Sequence, residues 1–509
     1  MKNKNKKLHL FLLLTLFLGI YIDIINCLNG TNSNKNSDSI KIHAIDYNNV
    51  TIISDNISNW NYGNSLDPSI AISNSGVIHV VWEDFTDHDD YGGNEILYSS
   101  NDGSGWSNPI IISDNSSNWN NDFSGCPSIA VDNLGGIHVV WEDGTPGAWG
   151  IDMEIMYTSS TDGIIWSNVI VLSDNSTHWN DSYSGAPSIA IDSNGIIHVV
   201  WEDYTEGVWT GGTFDSEIMY RFNDGSGWSN VTVISDDINL IGISWNPSIS
   251  IDNLDSLHVV WEDDSNGDWA DDEILYSFND GSGWTDAVLI SDDATQWNTG
   301  YSNYPDIAID NTGKIHVVWF DGTDGAWGSD SEIMYVTNNG TGWSNVTILS
   351  DDKTHWNIGA SHYPSIAIDD NDKIHVVWHD ETNGIWGTDN EIMYTYFNGS
   401  KWSKIAIISD NVTHWNTGYS NYPDIAIDNS GGIHVVWEDG TTGVWGTDYE
   451  IMHSISKGYI PEYYTSKDIS NDKGISFGHT FLLIVIIGIG TIFGQMLRKY
   501  RQRLFKIYY

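Results

Sequence analysis

Tryptophans recur in two kinds of Asp- and Asn-rich segment and are the first candidates for ligand binding. One kind reads EDGTPGAWGIDME at 142–154, and the other reads SDNSTHWNDSYSGA at 173–186. An indole offers a flat apolar platform, and nearby amides and carboxylates bond hydroxyls, which suits sugars or protein loops. The alternative is that each ring only packs its own loop against the fold. The candidate ligand-binding residues are Trp149, Trp209, Trp269, Trp327, Trp386, Trp445, Trp179 and Trp356.

Carboxylates are abundant enough to suggest glycoside hydrolysis, which needs two of them beside one sugar bond. They recur in every copy of a repeat, however, and a residue that every copy carries is more simply explained by a structural need. The same reasoning favours a packed, hydrogen-bonded role for the repeated histidines, so no catalytic residue is assigned. A unique site is expected where copies differ, as where Phe320 and His379 replace the repeated glutamate.

An acidic loop near the start of the repeats is the one candidate metal site. Asp87, Asp89 and Asp90 lie together there, and oxygen ligands of this type suit Ca²⁺. The alternative is a solvated acidic loop without a bound ion.

All these segments belong to one repeating unit marked by an (I/L)HVVW run. Its histidine returns seven times, from His79 to His434, at intervals of roughly 60 residues. In the second copy, short β-rich runs separated by Gly, Asn and Asp turns predict a four-stranded antiparallel meander. Those predicted strands are 128–131, 137–141, 154–157 and 166–172.

The central strand of each copy is apolar on both alternating sides, as expected when both of its faces are covered. Blades packed around a circle meet this condition and protect their edges. The seventh copy has no fourth strand, but NVTIISDN at 49–56 matches the fourth strand NVTILSDD at 345–352. We therefore expect an all-β, seven-bladed β-propeller, closed by the N-terminal strand pairing in the last blade.

The turn before each fourth strand reads SNDGSGW at 100–106, STDGIIW at 160–166 and FNDGSGW at 222–228 and 278–284. It resembles the Asp-box, S-x-D-x-G-x-x-W, of the sialidase-like BNR-repeat propellers. The residue between Asp and Gly is missing here, Asn339 and Asn398 replace the Asp in two copies, and the seventh copy lacks the turn. The resemblance implies a structural role for Asp102, Asp162, Asp224 and Asp280.

Sialidases of that superfamily hold the substrate carboxylate with three arginines and use a Tyr/Glu nucleophile pair with an acid/base Asp. Bidentate guanidinium contacts are the reason for arginine, and lysine does not reproduce them. Arg221 is the only arginine between the N-terminal segment and the C-terminal apolar segment. The sialidase mechanism is therefore not expected in its known form.

Both chain ends carry targeting features. Lysines precede an apolar run in 1–28, which predicts a signal peptide or N-terminal anchor, followed by a polar leader at 29–48. The propeller is expected at 49–455, a stalk at 456–476, a transmembrane helix at 477–497 and a basic cytoplasmic tail at 498–509. These features predict a single-pass cell-membrane protein with its propeller outside.

The net charge of −49 leaves almost nothing to neutralise a phosphate backbone, so nucleic acid is excluded as a partner. The sequence thus predicts a membrane-anchored extracellular module that binds glycan or protein ligands through its Trp/Asp-rich loop face. The alternative is a sialidase-like glycoside hydrolase or another polysaccharide-degrading enzyme.

Overall fold

The computed structural model describes residues 50–457 with gaps at 56–60, 62, 86–92, 115–119, 121, 148, 175–179, 206–215, 236–241, 265–271, 293–297, 326, 352–356, 385–386, 411–415 and 444–445. The predicted signal segment, polar leader, transmembrane helix and basic tail lie outside the described residues, as does the stalk from 458 onward. Within the described part, no helix is long and apolar enough to cross a membrane.

The described chain is all β, with four strands in each of seven sheets. The first strands are β2 (Ser65–Ile72), β6 (Ser124–Val131), β10 (Ser184–Ile191), β14 (Ser244–Ile251), β18 (Ser302–Ile309), β22 (Ser361–Ile368) and β26 (Ser420–Ile427). The second strands are β3 (Ile78–Asp84), β7 (Ile137–Asp143), β11 (Ile197–Asp203), β15 (Leu257–Asp263), β19 (Ile315–Asp321), β23 (Ile374–Asp380) and β27 (Gly432–Asp439). The third strands are β4 (Glu95–Asn101), β8 (Glu154–Ser160), β12 (Glu217–Asn223), β16 (Glu273–Asn279), β20 (Glu332–Asn338), β24 (Glu391–Phe397) and β28 (Glu450–Lys457). The fourth strands are β5 (Ile110–Ile111), β9 (Ile170–Val171), β13 (Thr232–Val233), β17 (Val288–Leu289), β21 (Thr347–Ile348), β25 (Ala406–Ile407) and β1 (Thr51–Ile52).

The seven sheets form a closed circle. The first strand of each blade contacts the first strand of the next, and β26 contacts β2 in the same way. In the last sheet the order is β1-β28-β27-β26, with Thr51 opposite His453 and Ile52 opposite Met452. The seven-bladed propeller closed by its N-terminal strand is therefore confirmed.

The strand lengths differ from the sequence prediction at both edges of a blade. The first strand of the second blade begins at Ser124 rather than at 128, because a bulge between Gly125 and Ser128 carries the pairing further. The fourth strand shrinks to Ile170–Val171, and Trp166 makes only an isolated bridge to Ser160. A short, twisted outer strand limits the unpaired edge that each blade exposes.

The second strands form the cores between blades, as their apolar character on both sides predicted. Each one carries a tryptophan with 0% exposed surface, such as Trp201 and Trp378. In the cluster around Trp378, Val318 and Ile333 come from the preceding blade. Burying one such aliphatic side chain stabilises the fold by about 1.5–3 kcal/mol, so neighbouring blades stabilise one another.

The aspartate that ends each second strand is a structural acceptor. Asp439 Oδ2 accepts bonds from Trp437 Nε1 at 3.0 Å, Ser420 Oγ at 2.9 Å and Asn416 Nδ2 at 3.1 Å. The glutamate that opens each third strand has a comparable role, since Ser54 Oγ donates to Glu450 Oε2 at 2.5 Å. The structural interpretation of these two carboxylate sets agrees with their contacts.

The repeated histidines are packed and hydrogen-bonded, as expected. His79 Nδ1 lies 2.8 Å from the hydroxyl of Tyr98, and Trp166 of the next blade packs edge-on against that tyrosine with centroids 5.0 Å apart. In the closing blade the tyrosine is replaced by His453, whose Nε2 lies 3.1 Å from His434 Nδ1. Each Asp-box tryptophan thereby joins its blade to the preceding one.

Candidate functional site

The feature that shapes the centre of the ring is a bulge in every first strand. The residue before the proline of each bulge has a left-handed backbone, which non-glycine residues rarely adopt and which proline disfavours further in the residue before it. Such strain persists only where the surrounding fold enforces it, and it is common at binding sites. The seven bulge residues are Asp67 (φ 47°), Cys126 (47°), Ala186 (45°), Asn246 (44°), Tyr304 (49°), Tyr363 (50°) and Tyr422 (47°).

The seven bulge residues surround a central cavity of about 750 Å³. Leu66 of the bulged strand pairs with Glu83, close to the end of the second strand. The loops that join second to third strands leave the blades at this end. The cavity therefore opens on the face that carries the long tryptophan-containing loops. Its volume falls within the range typical of small-molecule sites.

One side of the cavity is a carboxylate wall that also links the blades. Glu142 accepts the backbone N–H of Ala186 at 3.1 Å, Glu202 that of Asn246 at 2.9 Å, and Glu262 that of Tyr304 at 3.0 Å. Glu438 accepts the backbone N–H of Asp67 in the same manner. We call six residues the carboxylate wall. Two of them, Glu83 and Glu438, interact with Asp67, and the other four line the cavity: Asp67, Glu142, Glu202 and Glu262.

These carboxyl groups hold their protons to unusually high pH. Burial away from water, reinforced by neighbouring carboxylates, raises the pKa of Glu83 and of Glu438 to about 8. Burial likewise raises the pKa of Glu202 to about 8, that of Glu262 to about 7 and that of Asp67 to about 6. Near neutral pH the wall therefore contains both neutral acids, which can donate, and carboxylates, which accept.

The opposite side of the cavity is an aromatic wall. The rings of Tyr304 and Tyr363 lie 4.3 Å apart between centroids, and Phe320 lies 5.8 Å from Tyr304. His379 extends the cluster, 5.3 Å from Tyr363 and 6.1 Å from Tyr422. We call six residues the aromatic wall. Tyr304, Tyr363 and Tyr422 line the cavity, and Phe320, His362 and His379 pack against these tyrosines.

The two walls arise from correlated differences between repeats. In blades five and six, Phe320 and His379 stand where other blades have the inward-facing glutamate, and Tyr363 and Tyr422 are the bulge residues that follow them. A ring in place of each glutamate packs against these tyrosines instead of accepting a backbone bond. The departures from the repeat that the sequence singled out thus lie at the centre of the ring.

The site residues proposed from sequence are only partly described. Trp149 and Trp327 each donate their indole N–H to a carbonyl of their own loop, at Thr145 and Thr323, over 3.1 Å. Both are partly buried against the inter-blade cores and do not line the central cavity. Trp209, Trp269, Trp386, Trp445, Trp179 and Trp356 lie outside the described residues, so ligand binding by the loop-face tryptophans stays a prediction.

The candidate calcium loop with Asp87, Asp89 and Asp90 also lies outside the described residues. Among the residues that are described, no group of three or more His, Cys, Asp or Glu side chains could hold a metal ion.

Trp245 belongs by sequence to the second kind of tryptophan-containing segment, the kind represented at 173–186, which predicts a position in a loop. The structure corrects this prediction. Trp245 lies within β14, opposite Glu262, and lines the central cavity while its indole N–H donates to the Tyr204 hydroxyl at 2.7 Å. The tyrosines of the aromatic wall were missed altogether. The available signal was the residue before the repeated proline, which varies as Asp, Cys, Ala, Asn, Tyr, Tyr and Tyr within a nearly constant run.

The Asp-box residues and Arg221, the one arginine among the described residues, contribute no groups to the cavity. Asp102 Oδ1 accepts the backbone N–H of Ser104 at 2.9 Å within its own exposed turn, and Asn339 caps its turn similarly. Arg221 donates to the backbone carbonyls of Ser229 and Leu172, at 2.7 and 2.5 Å. Among the described residues that line the cavity there is neither lysine nor arginine.

Solved structures share this fold. An ulvan lyase, a polysaccharide lyase bound to -[GlcA(1-4)Rha3S]-, aligns with a TM-score of 0.50 at 12% identity, over 77% of this chain and 94% of that one. An α-L-arabinanase of Penicillium chrysogenum complexed with arabinobiose has a TM-score of 0.45 at 11% identity, over 80% and 97% of the two chains. A leech intramolecular trans-sialidase has a TM-score of 0.41 at 13% identity, over 85% and 73%.

No protein-family model matches the chain, and no curated protein matches it. At 12% identity the likeness to the ulvan lyase shows the fold alone. The TM-scores of the arabinanase and the trans-sialidase are too low to support a conclusion. The molecule is thus a seven-bladed β-propeller of four-stranded antiparallel blades, the fold that the Asp-box turns had indicated. Its central cavity combines a carboxylate wall with an aromatic wall.

Proposed function

We propose that this protein is a glycan-binding propeller that takes a carbohydrate group into its central cavity. The observation that carries the proposal is the pairing of three tyrosine rings with buried carboxyl groups across one cavity of about 750 Å³. Tyrosine rings stack on the C–H faces of a sugar, and carboxyl groups bond its hydroxyls.

The fold gives limited further support. The ulvan lyase of similar fold is described as bound to a saccharide, so propellers of this shape accommodate carbohydrate. The loops that carry Trp149 and Trp327 leave the blades at the same end as the cavity, which makes these rings a second candidate contact for a larger glycan. A protein loop with exposed hydroxyls is the alternative ligand.

We further propose that the propeller is displayed outside the cell, held by the apolar segment at 477–497 with the basic tail inside. The support is the sequence pattern of both ends. Protease treatment of intact cells should remove the propeller, while an epitope tag after Tyr509 should become accessible to antibody only after permeabilisation. Access to the tag in intact cells would contradict this orientation.

A glycan array probed with the full-length chain in mild detergent tests the binding proposal. We expect hits that disappear in Tyr363→Ala and persist in Leu134→Ala, a matched truncation of a side chain that is 96% exposed and lies outside the cavity. Trp149→Ala and Trp327→Ala report whether the loop face contributes. The proposal is wrong if no glycan binds the intact protein.

A second candidate function is glycoside hydrolysis, favoured by one observation. Asp67 and Glu83 interact electrostatically, and their pKa values are raised to about 6 and about 8. Near neutral pH, Glu83 is therefore a proton donor and Asp67 a carboxylate. Release of 4-methylumbelliferone from a panel of glycosides, abolished in Glu83→Gln, would establish the enzyme. Binding without any release would leave the lectin-like function.

A further inference from the structure

The central cavity has a charge character that selects among carbohydrates. We infer that it recognises a cationic sugar, an amine-bearing hexose unit, whose ammonium group lies between the carboxylate wall and the aromatic wall. This inference rests on the proposed glycan-binding function and specifies the class of ligand.

The first argument is the absence of compensating charge. Six buried carboxyl groups from five blades line the cavity or interact with Asp67 at its edge, and the described lining residues include no lysine or arginine to neutralise them. Two more buried acids, Asp306 and Asp424, also line the cavity. A uronate or sialate group would be repelled here, while an ammonium group would supply the missing counter-charge.

The second argument is the aromatic wall, which is independent of the carboxyl groups. Tyr363 lies 4.3 Å from Tyr304 and 4.2 Å from Tyr422, so three rings from three consecutive blades form a continuous surface. The negative face of an aromatic ring attracts a cation, and the attraction strengthens where water is excluded. Rings on one side and carboxylates on the other are the arrangement that recognises ammonium groups.

The third argument is that the carboxyl groups are hydrogen-bonded but retain free lone pairs. Glu202 accepts the backbone N–H of Asn246 at one oxygen. Glu262 accepts the backbone N–H of Tyr304 and the side-chain amides of Asn303 and Asn246. A carboxylate has about four acceptor positions, so each can also accept from an ammonium N–H. The bonds to the backbone fix the direction of the carboxylates before the ligand arrives, which lowers the entropic cost of binding.

Proton linkage gives this inference a distinctive signature. Since Glu83, Glu202 and Glu438 have pKa values raised to about 8, they are mostly neutral at pH 6 in the empty cavity. An entering cation favours their ionised form, so its binding must release protons at pH 6 and must strengthen as pH rises from 6 to 8. The titratable groups around the cavity are Asp67, Glu83, Cys126, Glu142, Tyr183, Glu202, Glu262, Tyr304, Asp306, His362, Tyr363, His379, Tyr422, Asp424 and Glu438.

Isothermal titration of the full-length chain in detergent tests the inference. The probes are glucosamine, galactosamine and mannosamine, each compared with its parent hexose, its N-acetyl derivative and the corresponding uronic acid, in two buffers of different ionisation enthalpy at pH 6. We expect at least one amine to bind about tenfold or more tighter than its neutral forms, with proton release. N,N,N-trimethylglucosaminium, which keeps its charge at every pH, should bind more tightly at pH 8 than at pH 6.

Charge removal within the cavity separates recognition from folding. Glu202→Gln keeps an oxygen for the Asn246 N–H but loses the charge, so the preference for the amine should fall about tenfold while the affinity for the parent hexose is retained. Glu262→Gln is the second variant if the first fails to fold. Glu391→Gln, which alters a buried carboxyl group outside the cavity, is the matched control and should leave the preference unchanged.

The outcomes are distinct. Equal binding of amine, hexose and N-acetyl forms, or a preference for the uronic acid, overturns the cationic-sugar inference and leaves the glycan-binding proposal standing. Binding of an amine without proton release places the charge away from the carboxylate wall and also overturns the inference. If none of the sugars binds, the cationic-sugar inference fails, and the glycan array decides the glycan-binding proposal separately.

Discussion

The ring of Tyr363 lies 4.2 Å from the ring of Tyr422 between centroids, although the two residues belong to neighbouring blades. Both have the left-handed backbone of the first-strand bulge, with φ values of 50° and 47°. Their contact coincides with the blade in which His379 replaces the inward glutamate, so an aromatic cluster forms where a carboxylate would otherwise stand. A sevenfold repeat thereby acquires a one-sided centre.

Truncating the shared ring of this cluster should weaken ligand binding more than folding. Tyr363→Ala removes the ring that joins Tyr304 and Tyr422, and the loss of stacking area should reduce glycan affinity about tenfold. Tyr419→Ala removes a ring that is 52% exposed and lies outside the cavity, and its affinity should equal that of the parent. Titration calorimetry on both variants decides the matter, and equal losses would contradict a role for the aromatic wall.

The buried glutamates should make the protein less stable at alkaline pH. Burial raises the pKa of Glu391 to about 9 from an ordinary value of 4.5, so the unfolded chain releases this proton well before the folded one does. The stability tied to it is fully present below pH 4.5 and is lost as pH rises towards 9, by about 1.4 kcal/mol per pH unit for one carboxyl.

Buried histidines act in the opposite direction at lower pH. Burial lowers the pKa of His375 to about 4 from 6.5, so its contribution is lost as pH falls below 6.5. Above pH 6.5 the histidines no longer contribute to the pH dependence, and the raised pKa values of the glutamates should make the melting temperature decline steadily from pH 6.5 to 9. Glu391→Gln should flatten that decline in calorimetric scans; an unchanged slope would show that Glu391 ionises normally.

The closing strand should be the place where the ring opens first. Ile53 and Ile112 occupy equivalent positions, 2% and 3% exposed, and each donates its N–H to a third-strand carbonyl, at Ile451 and Ile96. Substitution of either by alanine should cost about 2–5 kcal/mol of unfolding free energy. Only Ile112 is joined to its partner strand by a short turn, however, so Ile53→Ala should expose its strand to local opening.

Limited proteolysis under native conditions measures this difference. We expect cleavage near residues 49–56 to accelerate in Ile53→Ala, with no matching cleavage near 108–115 in Ile112→Ala. Equal protease sensitivity of the two variants would mean that the seam is as secure as a continuous blade.

The single cysteine of the cavity should react slowly with alkylating reagents. Burial, together with Glu142 and Asp67, raises the pKa of the Cys126 thiol well above its ordinary value, so little thiolate is present near pH 8. Iodoacetamide labelling followed by mass spectrometry should be slower than in the denatured chain and should accelerate in Glu142→Gln. Labelling at the rate of the denatured chain would show an open, well-solvated thiol.

Much of the architecture could be predicted because the same pattern of strands and turns recurs in the copies of the repeat. The doubly apolar second strand, the displaced copy of the fourth strand and the Asp-box turns each indicated a closed propeller. The histidines and the third-strand glutamates were interpreted from their recurrence, and their contacts agree with that interpretation.

The centre of the ring was less accessible because its residues meet only through closure. Asp67 and Glu438 are far apart in sequence, and no local pattern shows that one donates its backbone N–H to the other. A bulge directs Tyr304, Tyr363 and Tyr422 inward. It requires a backbone conformation that a residue before proline normally avoids. The tryptophans became candidates because they recur, whereas the cavity is shaped by two positions that vary between repeats, the bulge residue and the inward-facing glutamate.

The two-residue pairing of β1 with β28 also has a mechanical consequence. Tension applied to the chain beyond Lys457 would act on β28, which is held along its length by β27 but at its outer edge by the short segment from Thr51 to Ser54. Under load this edge would shear before any other blade is disturbed, so the last blade would act as a weak link that yields while six wedges keep their shape.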